Sequence, residues 1–193
     1  MEKKHAMTAA ILIGGASKRL GTDKVVLRLG DDIMVNKVLK VIQPLFEHVI
    51  MVGHPRKELR TYRIMEDLFK SCGPLGGIYT ALSLSGSDYV FVFAADMPYV
   101  DTGLVGYMIS IANGPDIIIP EWTKGLEPLH AIYHKRLIPL IKSSIDKNCL
   151  KIATIVEHAS VFKVPEEKIR EFGDPDIIFT NINTTSDIEA LER

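Results

Sequence analysis

The sequence predicts an α/β protein with a mostly parallel sheet that is covered by helices on both faces. Short apolar runs of strand length alternate with stretches of helical spacing along the chain, which is typical of consecutive βαβ units. Glycine-rich and polar stretches directly follow several of the apolar runs. Ligands of parallel sheets bind beyond the carboxyl ends of the strands, so we expect these stretches to share one edge of the sheet.

The predicted strands are apolar runs that end at glycine, proline or acidic residues. Tyr89–Ala94 is the most continuous of them and is therefore predicted to be the central strand. Pro120 is expected to end the strand before it. In chain order the predicted strands are Ala9–Ile13, His48–Val52, Tyr62–Met65, Tyr89–Ala94, Asp116–Ile119, Leu129–Tyr133 and Val161–Val164, with a last extended piece over Asp176–Asn183.

The predicted helices have apolar residues at helical spacing or a capping residue at their start. One of them begins at a cap of Asp101 or Thr102 and ends near Ala112. The three glycines and the proline of Cys72–Gly77 predict a turn. The other predicted helices are Ile33–Pro44, Ile78–Leu84, Lys135–Ser144, Leu150–His158 and Thr185–Leu191.

The composition is that of an ordinary globular protein. Of the 193 residues, 47% are hydrophobic and 24% are charged, so a single domain over residues 1–193 can bury a core. The net charge of −1 provides no basic field for nucleic acid or an anionic membrane. The two cysteines suggest no disulfide framework, no apolar run reaches the length of a membrane span, and Met1–Met7 does not resemble a secretory signal. We therefore expect a cytoplasmic protein.

The stretch Thr8–Lys24 carries the strongest functional signal. Its apolar run ends at Gly14 and Gly15, where glycine lets backbone N–H groups approach an anion closely. Arg19 and Lys24 follow and can neutralise a polyphosphate. The spacing is neither a dinucleotide fingerprint nor a Walker P-loop, and an ordinary turn with solvated cations is the alternative.

Asp96 follows the predicted central strand almost directly. A carboxylate at the rim of an apolar sheet needs a partner. Mg²⁺ is suited to this role, because it takes one or two carboxylates and shares phosphate oxygens with a substrate. The alternative is that Asp96 caps the following helix. Together, the glycine loop, the cations and this carboxylate predict phosphoryl or nucleotidyl transfer by positioning and charge neutralisation.

Other polar residues at predicted strand ends have both a functional and a structural interpretation. Asp67 could face a ligand or only support the turn that follows it. His54 could contact a ligand or be an ordinary loop histidine. Asn181 and Asn183 alternate, so they face one side of an extended segment, either as backbone caps or as ligand contacts.

Two aromatic residues in the second half of the chain are expected to be structural. His130 lies inside a predicted strand and is expected to be a core or rim histidine with satisfied nitrogens. Trp122 is expected to fill a surface hollow, on the stretch where a second substrate could rest.

Cys72 has no histidine or cation cluster close to it in the sequence, so it is not expected to be a nucleophile.

Five stretches in order resemble the motifs of the molybdenum cofactor guanylyltransferase family of nucleotidyltransferases, and the resemblance covers nearly the whole chain. The first, LIGGASKRLGTDK, resembles the opening signature of the family with its Gly-Gly, Arg-Leu-Gly and Asp-Lys elements. The others are GPLGG at Gly73–Gly77, ADMP at Ala95–Pro98, EPLHAIY at Glu127–Tyr133 and NINTTSD at Asn181–Asp187.

The resemblance implies a Rossmann-like, three-layer nucleotidyltransferase domain that transfers GMP from GTP to the phosphate of molybdopterin and releases pyrophosphate. It implies Mg²⁺ as the cofactor, held by Asp96, with Arg19 and Lys24 as further catalytic residues. Asn181 and Asn183 would lie on the acceptor side. Molybdoenzyme chaperones or other cofactor-synthesis proteins are further implied partners. The implied nucleotide-binding residues are Leu12, Ile13, Gly14, Gly15, Arg19, Lys24, His54, Asp67 and Asp96.

The resemblance also implies how the nucleobase is recognised. Leu12, Ile13 and Gly14 would hold guanine by backbone contacts, and the Gly-Gly pair favours GTP over CTP. Glu66 competes with Asp67 as the nucleotide contact, because the interval to the next glycine is a residue short. The alternatives are a related enzyme that uses CTP or another phosphorylated acceptor, and a non-catalytic nucleotide-binding adaptor in molybdoenzyme maturation.

Overall fold

The structure is a computed structural model that describes residues 5–14, 24–182 and 187. Its strands are β1 (His5–Leu12), β2 (Arg28–Leu29), β3 (Asp32–Ile33), β4 (Phe46–Val52), β5 (Ile64–Met65), β6 (Tyr89–Ala94), β7 (Ile117–Trp122), β8 (Gly125–Leu126), β9 (His130–His134) and β10 (Val161–Pro165). Its helices are α1 (Met34–Ile42), α2 (Gly73–Leu84), α3 (Thr102–Ser110), α4 (Ile138–Asp146), α5 (Ile152–Glu157), α6 (Glu166–Arg170) and α7 (Pro175–Ile178). Short 3₁₀ helices cover Lys24–Val26, Lys57–Leu59 and Lys135–Leu137.

In the described part of the chain, eight strands form one sheet in the order β10-β7-β9-β6-β1-β4-β5, with β8 paired to β7. The pairs β1–β4, β1–β6, β4–β5 and β7–β10 are parallel. β9 runs antiparallel to both β6 and β7. The amino end of β9 therefore lies at the same edge as the carboxyl ends of the parallel strands. β2 and β3 form a separate antiparallel pair.

Apolar side chains cover both faces of the large sheet, because successive residues of a strand point to opposite faces. Ile11 and Phe91 belong to a buried cluster that includes residues of α1 and α3. Ala10 and Val92 belong to a second cluster that includes residues of α2, α4 and α5. The sheet lies between two helical layers, which confirms the predicted three-layer α/β fold with a mostly parallel sheet.

The predicted central strand and one predicted cap are confirmed. β6 has the predicted bounds and lies inside the sheet between β1 and β9. Asp101 is the N-cap of α3, and its Oδ1 accepts a hydrogen bond from the backbone N of Leu104 at 2.8 Å. Among the described helices the longest has 12 residues, whereas about 20 apolar residues are needed to cross a membrane.

The predicted turn over Cys72–Gly77 is wrong, because α2 already begins at Gly73. Pro74 lies in the first turn of the helix, where its missing N–H has no intrahelical partner to lose. Gly77 lies inside the helix and packs against β1: a Cβ at this position would lie 3.1 Å from the side chain of Leu12. The glycines therefore allow a close helix–strand contact.

The predicted end of a strand at Pro120 is also wrong. β7 continues to Trp122, and Pro120 pairs with Val164 of β10. The carbonyl oxygen of Pro120 accepts a hydrogen bond from the backbone N of Glu127 at 3.0 Å. The strand continues because its backbone pairing does not depend on the N–H that proline lacks.

The extended piece predicted over Asp176–Asn183 begins instead with the short helix α7. Asp174 caps this helix, and its Oδ1 accepts a hydrogen bond from the backbone N of Asp176 at 3.1 Å. The predicted helix over Thr185–Leu191 lies outside the described residues, apart from Asp187.

Candidate active site

A cleft of about 710 Å³ lies at the edge of the sheet where the parallel strands end. Its walls come from the residues that follow β1, β4, β5 and β6, from the start of α2 and from the residue before β9. The structure thus brings Gly14, His54, Asp67 and Asp96 to one cleft, as their positions after strands predict. The lining residues are Leu12, Gly14, Val25, Val52, His54, Asp67, Phe69, Ser71, Cys72, Gly73, Pro74, Gly77, Ala94, Ala95, Asp96 and Leu129.

A second cavity of about 590 Å³ lies at the opposite edge, beside the starts of β1, β4 and β6. His5, His48 and Asp88 are among its lining residues. None of the described site residues predicted above lies in its wall. The cleft at the carboxyl edge is therefore the candidate active site.

The chain segments after β1 and β4 approach each other closely in this cleft. Gly53 has a φ of +141°, and a Cβ built on it would lie 2.8 Å from the N atom of Gly14. Ile13 is buried, and its backbone N–H donates to the carbonyl oxygen of Val52 at 2.8 Å. The N–H of Ile13 is thus used within the protein, so a backbone contact from Ile13 to a base has to use its carbonyl oxygen.

Asp67 lies half-buried beside this loop. A Cβ on Gly14 would lie 3.7 Å from Oδ2 of Asp67. Burial raises the pKa of the Asp67 carboxyl above its usual value, and the nearby His54 opposes that shift. Glu66 is exposed and is not part of the cleft wall, so the structure favours Asp67 over Glu66 as the residue that faces a ligand.

Asp96 is half-buried in the cleft, two residues after the end of β6. Its carbonyl oxygen accepts a hydrogen bond from the backbone N of Ile182 at 2.9 Å. The capping residue of the following helix α3 is Asp101. The alternative that Asp96 serves as the cap of that helix is therefore wrong.

The donors in this cleft suit a Mg²⁺ ion that shares its coordination with a substrate. In residues 5–14, 24–182 and 187, no group of three or more His, Cys, Asp or Glu could hold a metal ion. Mg²⁺ is usually held by one or two carboxylates together with water and substrate phosphates. The carboxylate of Asp96 fits this set.

The β7–β8 hairpin lies on the other side of β6 from β1, and it contacts the segment that follows α7. The buried ring of Trp122 contacts the ring of Phe179, with the two centroids 5.6 Å apart. Its Nε1–H donates to Oε1 of Glu127 at 2.8 Å. Asn181 is exposed and directly precedes Ile182, so the hydrogen bond of Ile182 places Asn181 beside Asp96.

His130 is a core residue, but its side chain is not satisfied as expected. The ring packs against Phe91, Phe93 and Phe179 at centroid distances of 5.3, 5.5 and 5.4 Å. Its buried Nε2 has no hydrogen-bond partner within the described part of the chain. Burial lowers the pKa of His130 to about 3, so the ring is neutral and contributes by packing.

Three predicted site residues lie outside the described residues: Gly15, Arg19 and Asn183. For Lys24 the structure describes the backbone, which begins the 3₁₀ helix Lys24–Val26. The next residue, Val25, lines the cleft. A residue of the cleft wall therefore directly follows Lys24, the last residue of the predicted polyphosphate-binding stretch.

The cleft wall also has an apolar and sulfur-containing part that the sequence did not reveal as part of a site, and it includes Phe69, Cys72 and Leu129. Phe69 packs edge-on against Tyr79, with ring centroids 4.9 Å apart. Such side chains look the same in a sequence whether they pack in a core or line a cleft. Their only signal is proximity along the chain to a predicted residue, as for Phe69 and Asp67.

Comparisons with known proteins show the family of this chain. A family model described as a MobA-like NTP transferase domain matches residues 9–160. A probable molybdenum cofactor guanylyltransferase of Pelotomaculum thermopropionicum is 34% identical, with 94% of this chain and 89% of that protein covered. One of Methanosarcina mazei is 31% identical, with 98% and 92% covered.

A similar solved structure is that of molybdopterin-guanine dinucleotide biosynthesis protein A from Archaeoglobus fulgidus. It has a TM-score of 0.82 and 29% identity, and the match covers 96% of this chain and 97% of that chain. The sequence match spans more than half of the chain, and the structural match extends over nearly all of it. The chain belongs to the family of MobA-like NTP transferases and is a nucleotidyltransferase.

Proposed function

We propose that this enzyme transfers GMP from GTP to the phosphate of molybdopterin and releases pyrophosphate. The observation that carries the proposal is the gathering of Gly14, Asp67 and Asp96 in one cleft at the carboxyl edge of the sheet. Relatives at 34% and 31% identity over nearly the whole chain are named probable molybdenum cofactor guanylyltransferases, which supports both the reaction and the acceptor.

The nucleotide side of the site is built on β1, β4 and β5. We assign guanine binding to the backbone of Leu12, Ile13 and Gly14, and a further nucleotide contact to Gly15. Asp67 lies beside Gly14 and, when ionised, can accept hydrogen bonds from N–H or O–H donors of the nucleotide. His54 lines the same wall. The nucleotide would therefore lie between the loop after β1 and the segment after β5.

We assign Arg19, Lys24 and Asp96 to the charged groups of the reaction, which are the triphosphate and the metal ion. Nucleotidyltransferases of this family typically need a divalent metal ion, and we assign Mg²⁺ to Asp96. When bound, the ion neutralises phosphate charge and aligns the reacting groups. Arg19 and Lys24 would bind the triphosphate and stabilise the negative charge that develops during transfer.

The bond changes follow from the two substrates. An oxygen of the acceptor phosphate attacks the α-phosphorus of GTP, the bond from that phosphorus to the α,β-bridging oxygen breaks, and pyrophosphate leaves with the electron pair. The acceptor phosphate is already anionic, so the site needs no strong general base. We assign acceptor contacts to Asn181 and Asn183, since the backbone hydrogen bond between Ile182 and Asp96 brings Asn181 close to Asp96.

The proposal is tested by pyrophosphate release with Mg²⁺ and molybdopterin, with GTP, CTP, ATP and UTP offered in parallel. We expect release with GTP alone. Release with CTP would support the proposed reaction but contradict the assignment of guanine as the nucleobase. GTP binding without release from any nucleotide would contradict the acceptor and favour another phosphorylated acceptor or a non-catalytic adaptor.

Asp67 is expected to make the KM for GTP depend on pH. Its raised pKa means that protonation begins at a higher pH than for an ordinary aspartate. As the pH falls through that pKa, the carboxyl loses acceptor capacity, so the KM for GTP should rise toward acid. The Asp67→Asn variant should have a raised KM that lacks this dependence on protonation of the carboxyl. Identical pH profiles for the two proteins would contradict the assignment.

A further inference from the structure

The β7–β8 hairpin leads to a half-buried carboxylate, Glu127, to which the reaction described above assigns no role. Glu127 follows β8, and its backbone N–H donates to the carbonyl oxygen of Pro120 at 3.0 Å. Two residues later Leu129 lines the cleft, and its carbonyl oxygen accepts a hydrogen bond from the N of Ala94 at 2.8 Å. Glu127 is thus held next to the end of β6, which leads to Asp96.

The carboxylate of Glu127 is held in place, but its hydrogen-bond acceptor sites are not all used. Its Oε1 accepts the Nε1–H of Trp122 at 2.8 Å. Among the described residues, that indole is the one hydrogen-bond donor to the side chain of Glu127. An ionised carboxylate offers about four acceptor sites, so most of its capacity is open to a ligand. Burial raises the pKa of Glu127, while the Trp122 bond and the charge of Lys124 oppose the shift.

The hairpin also carries a cation, Lys124, which contacts residues other than Glu127. Lys124 forms an ion pair with Asp176, and its Nζ lies 5.0 Å from the centroid of the Trp122 ring. The structure shows no ion pair between Lys124 and Glu127, so the half-buried carboxylate has room for a further partner. A half-buried anion of this kind gains from a ligand that brings its own N–H donors.

The position of Glu127 is on the acceptor side of the cleft. Trp122 contacts Phe179, which lies two residues before Asn181, and the residue after Asn181 bonds to the carbonyl oxygen of Asp96. Glu127, Trp122 and Phe179 lie on the β7–β9 side of β6, and Asn181 connects them to Asp96. These four residues form a continuous strip. We call this the acceptor strip.

We propose that Glu127 binds the 2-amino-4-oxopyrimidine edge of the pterin acceptor and so determines acceptor specificity. The inference rests on the proposed function, because a pterin acceptor defines the chemistry of the ligand. The N3–H and 2-amino N–H groups of a pterin are parallel donors, and they match the two oxygens of a carboxylate as a guanidinium does. Oε1 can accept from the ligand while it retains the bond from Trp122.

The Glu127→Gln variant separates recognition from structure. Glutamine keeps an amide oxygen for the Trp122 N–H, but it loses the charge and replaces one acceptor oxygen by an NH₂ group. We expect the KM for molybdopterin to rise about tenfold or more, with the KM for GTP unchanged. The melting temperature should stay close to that of the wild type, because the Trp122 bond is retained.

The matched control is Glu121→Gln, which removes a carboxylate charge from the same hairpin. Glu121 forms an exposed ion pair with Lys163 at 2.7 Å, on the side of β10. This variant should leave both KM values unchanged. An unchanged molybdopterin KM in Glu127→Gln, or an equal rise in the KM for GTP, would overturn the proposal.

A pair of small competitors provides a second readout. Pterin carries the 2-amino group, whereas lumazine (2,4-dioxopteridine) has a carbonyl oxygen at that position, which would face the carboxylate of Glu127. With saturating GTP, pterin should compete with molybdopterin at least about tenfold more strongly than lumazine in the wild type. Glu127→Gln should lose this preference. Equal inhibition by the two compounds in the wild type, including none by either, would contradict the assignment.

Failure of this inference can be distinguished from failure of the proposed function. If wild-type protein transfers GMP to molybdopterin but Glu127→Gln has unchanged KM values, only the role of Glu127 is wrong. If wild-type protein releases no pyrophosphate, the proposed reaction is wrong. The preference of wild-type protein for pterin over lumazine is then measured by equilibrium dialysis with α,β-methylene GTP present. A preference that Glu127→Gln lacks would retain the inference, and no preference would overturn it.

Discussion

Replacement of Asp96 by asparagine is expected to lower the rate of GMP transfer by a factor of about 10³ or more. The amide keeps the size of the side chain but removes the charge that we assign to the metal ion. Loss of this charge stabilisation in the transition state corresponds to about 4 kcal/mol. The fold should be retained, because the contact with Ile182 uses the backbone carbonyl of Asp96. The measurement is kcat for pyrophosphate release with both substrates saturating, together with the melting temperature.

Asp88→Asn is the control for this variant. Asp88 directly precedes β6 at the opposite edge of the sheet and forms an exposed ion pair with Lys135. Exposed pairs contribute at most about 1 kcal/mol to stability, and this pair lies far from the cleft edge, so kcat should stay unchanged. A kcat of Asp96→Asn within tenfold of the wild type would show that Asp96 does not hold the essential ion.

Replacement of Gly53 by alanine is expected to lower the free energy of unfolding by roughly 2–4 kcal/mol. Gly53 has a φ of +141°, which disfavours any residue with a Cβ, and that Cβ would lie 2.8 Å from the backbone N of Gly14. Backbone atoms cannot move aside as a flexible side chain can, so the loop after β1 has to shift. We therefore expect a weaker affinity for GTP in addition to the lower stability, measured by denaturant unfolding and by calorimetric titration.

Gly106→Ala is the matched control for the glycine variant. Gly106 lies inside α3, and a Cβ there would meet no atom within 4 Å. Alanine should be neutral or raise the free energy of unfolding by about 0.5–1 kcal/mol, because it favours a helix more than glycine does. Equal stability of Gly53→Ala and the wild type would mean that the loop after β1 adapts without strain.

The family, the three-layer fold and the central strand were predictable from sequence, because each depends on local pattern. In an α/β chain, an apolar run of strand length such as Tyr89–Ala94 has few alternatives to a buried strand. The convergence of Gly14, His54, Asp67 and Asp96 was predictable for a geometric reason, since all four follow strands that run in the same direction. The roles of these residues in binding and catalysis stay predictions.

The errors arose where tertiary contacts override local preference. Gly76 and Gly77 disfavour a helix in isolation, yet α2 includes them, and the lack of a side chain at Gly77 permits its contact with Leu12. The short helix α7 has the apolar residues of a strand, and α6 and the two-residue strands β2, β3 and β8 carry too little pattern to detect. The direction of β9 could not be predicted, because an apolar run looks the same in either orientation.

The reversed direction of β9 makes base preference and acceptor preference separable in this fold. The residues assigned to GTP belong to the first half of the chain, whereas the hairpin before β9 carries Glu127 and leads to Leu129 in the cleft wall, both in the second half. A hairpin loop can change length and composition without moving the strands that frame it. With Glu127 in its proposed role, a change in this loop would alter acceptor preference and leave the nucleotide side of the site unchanged.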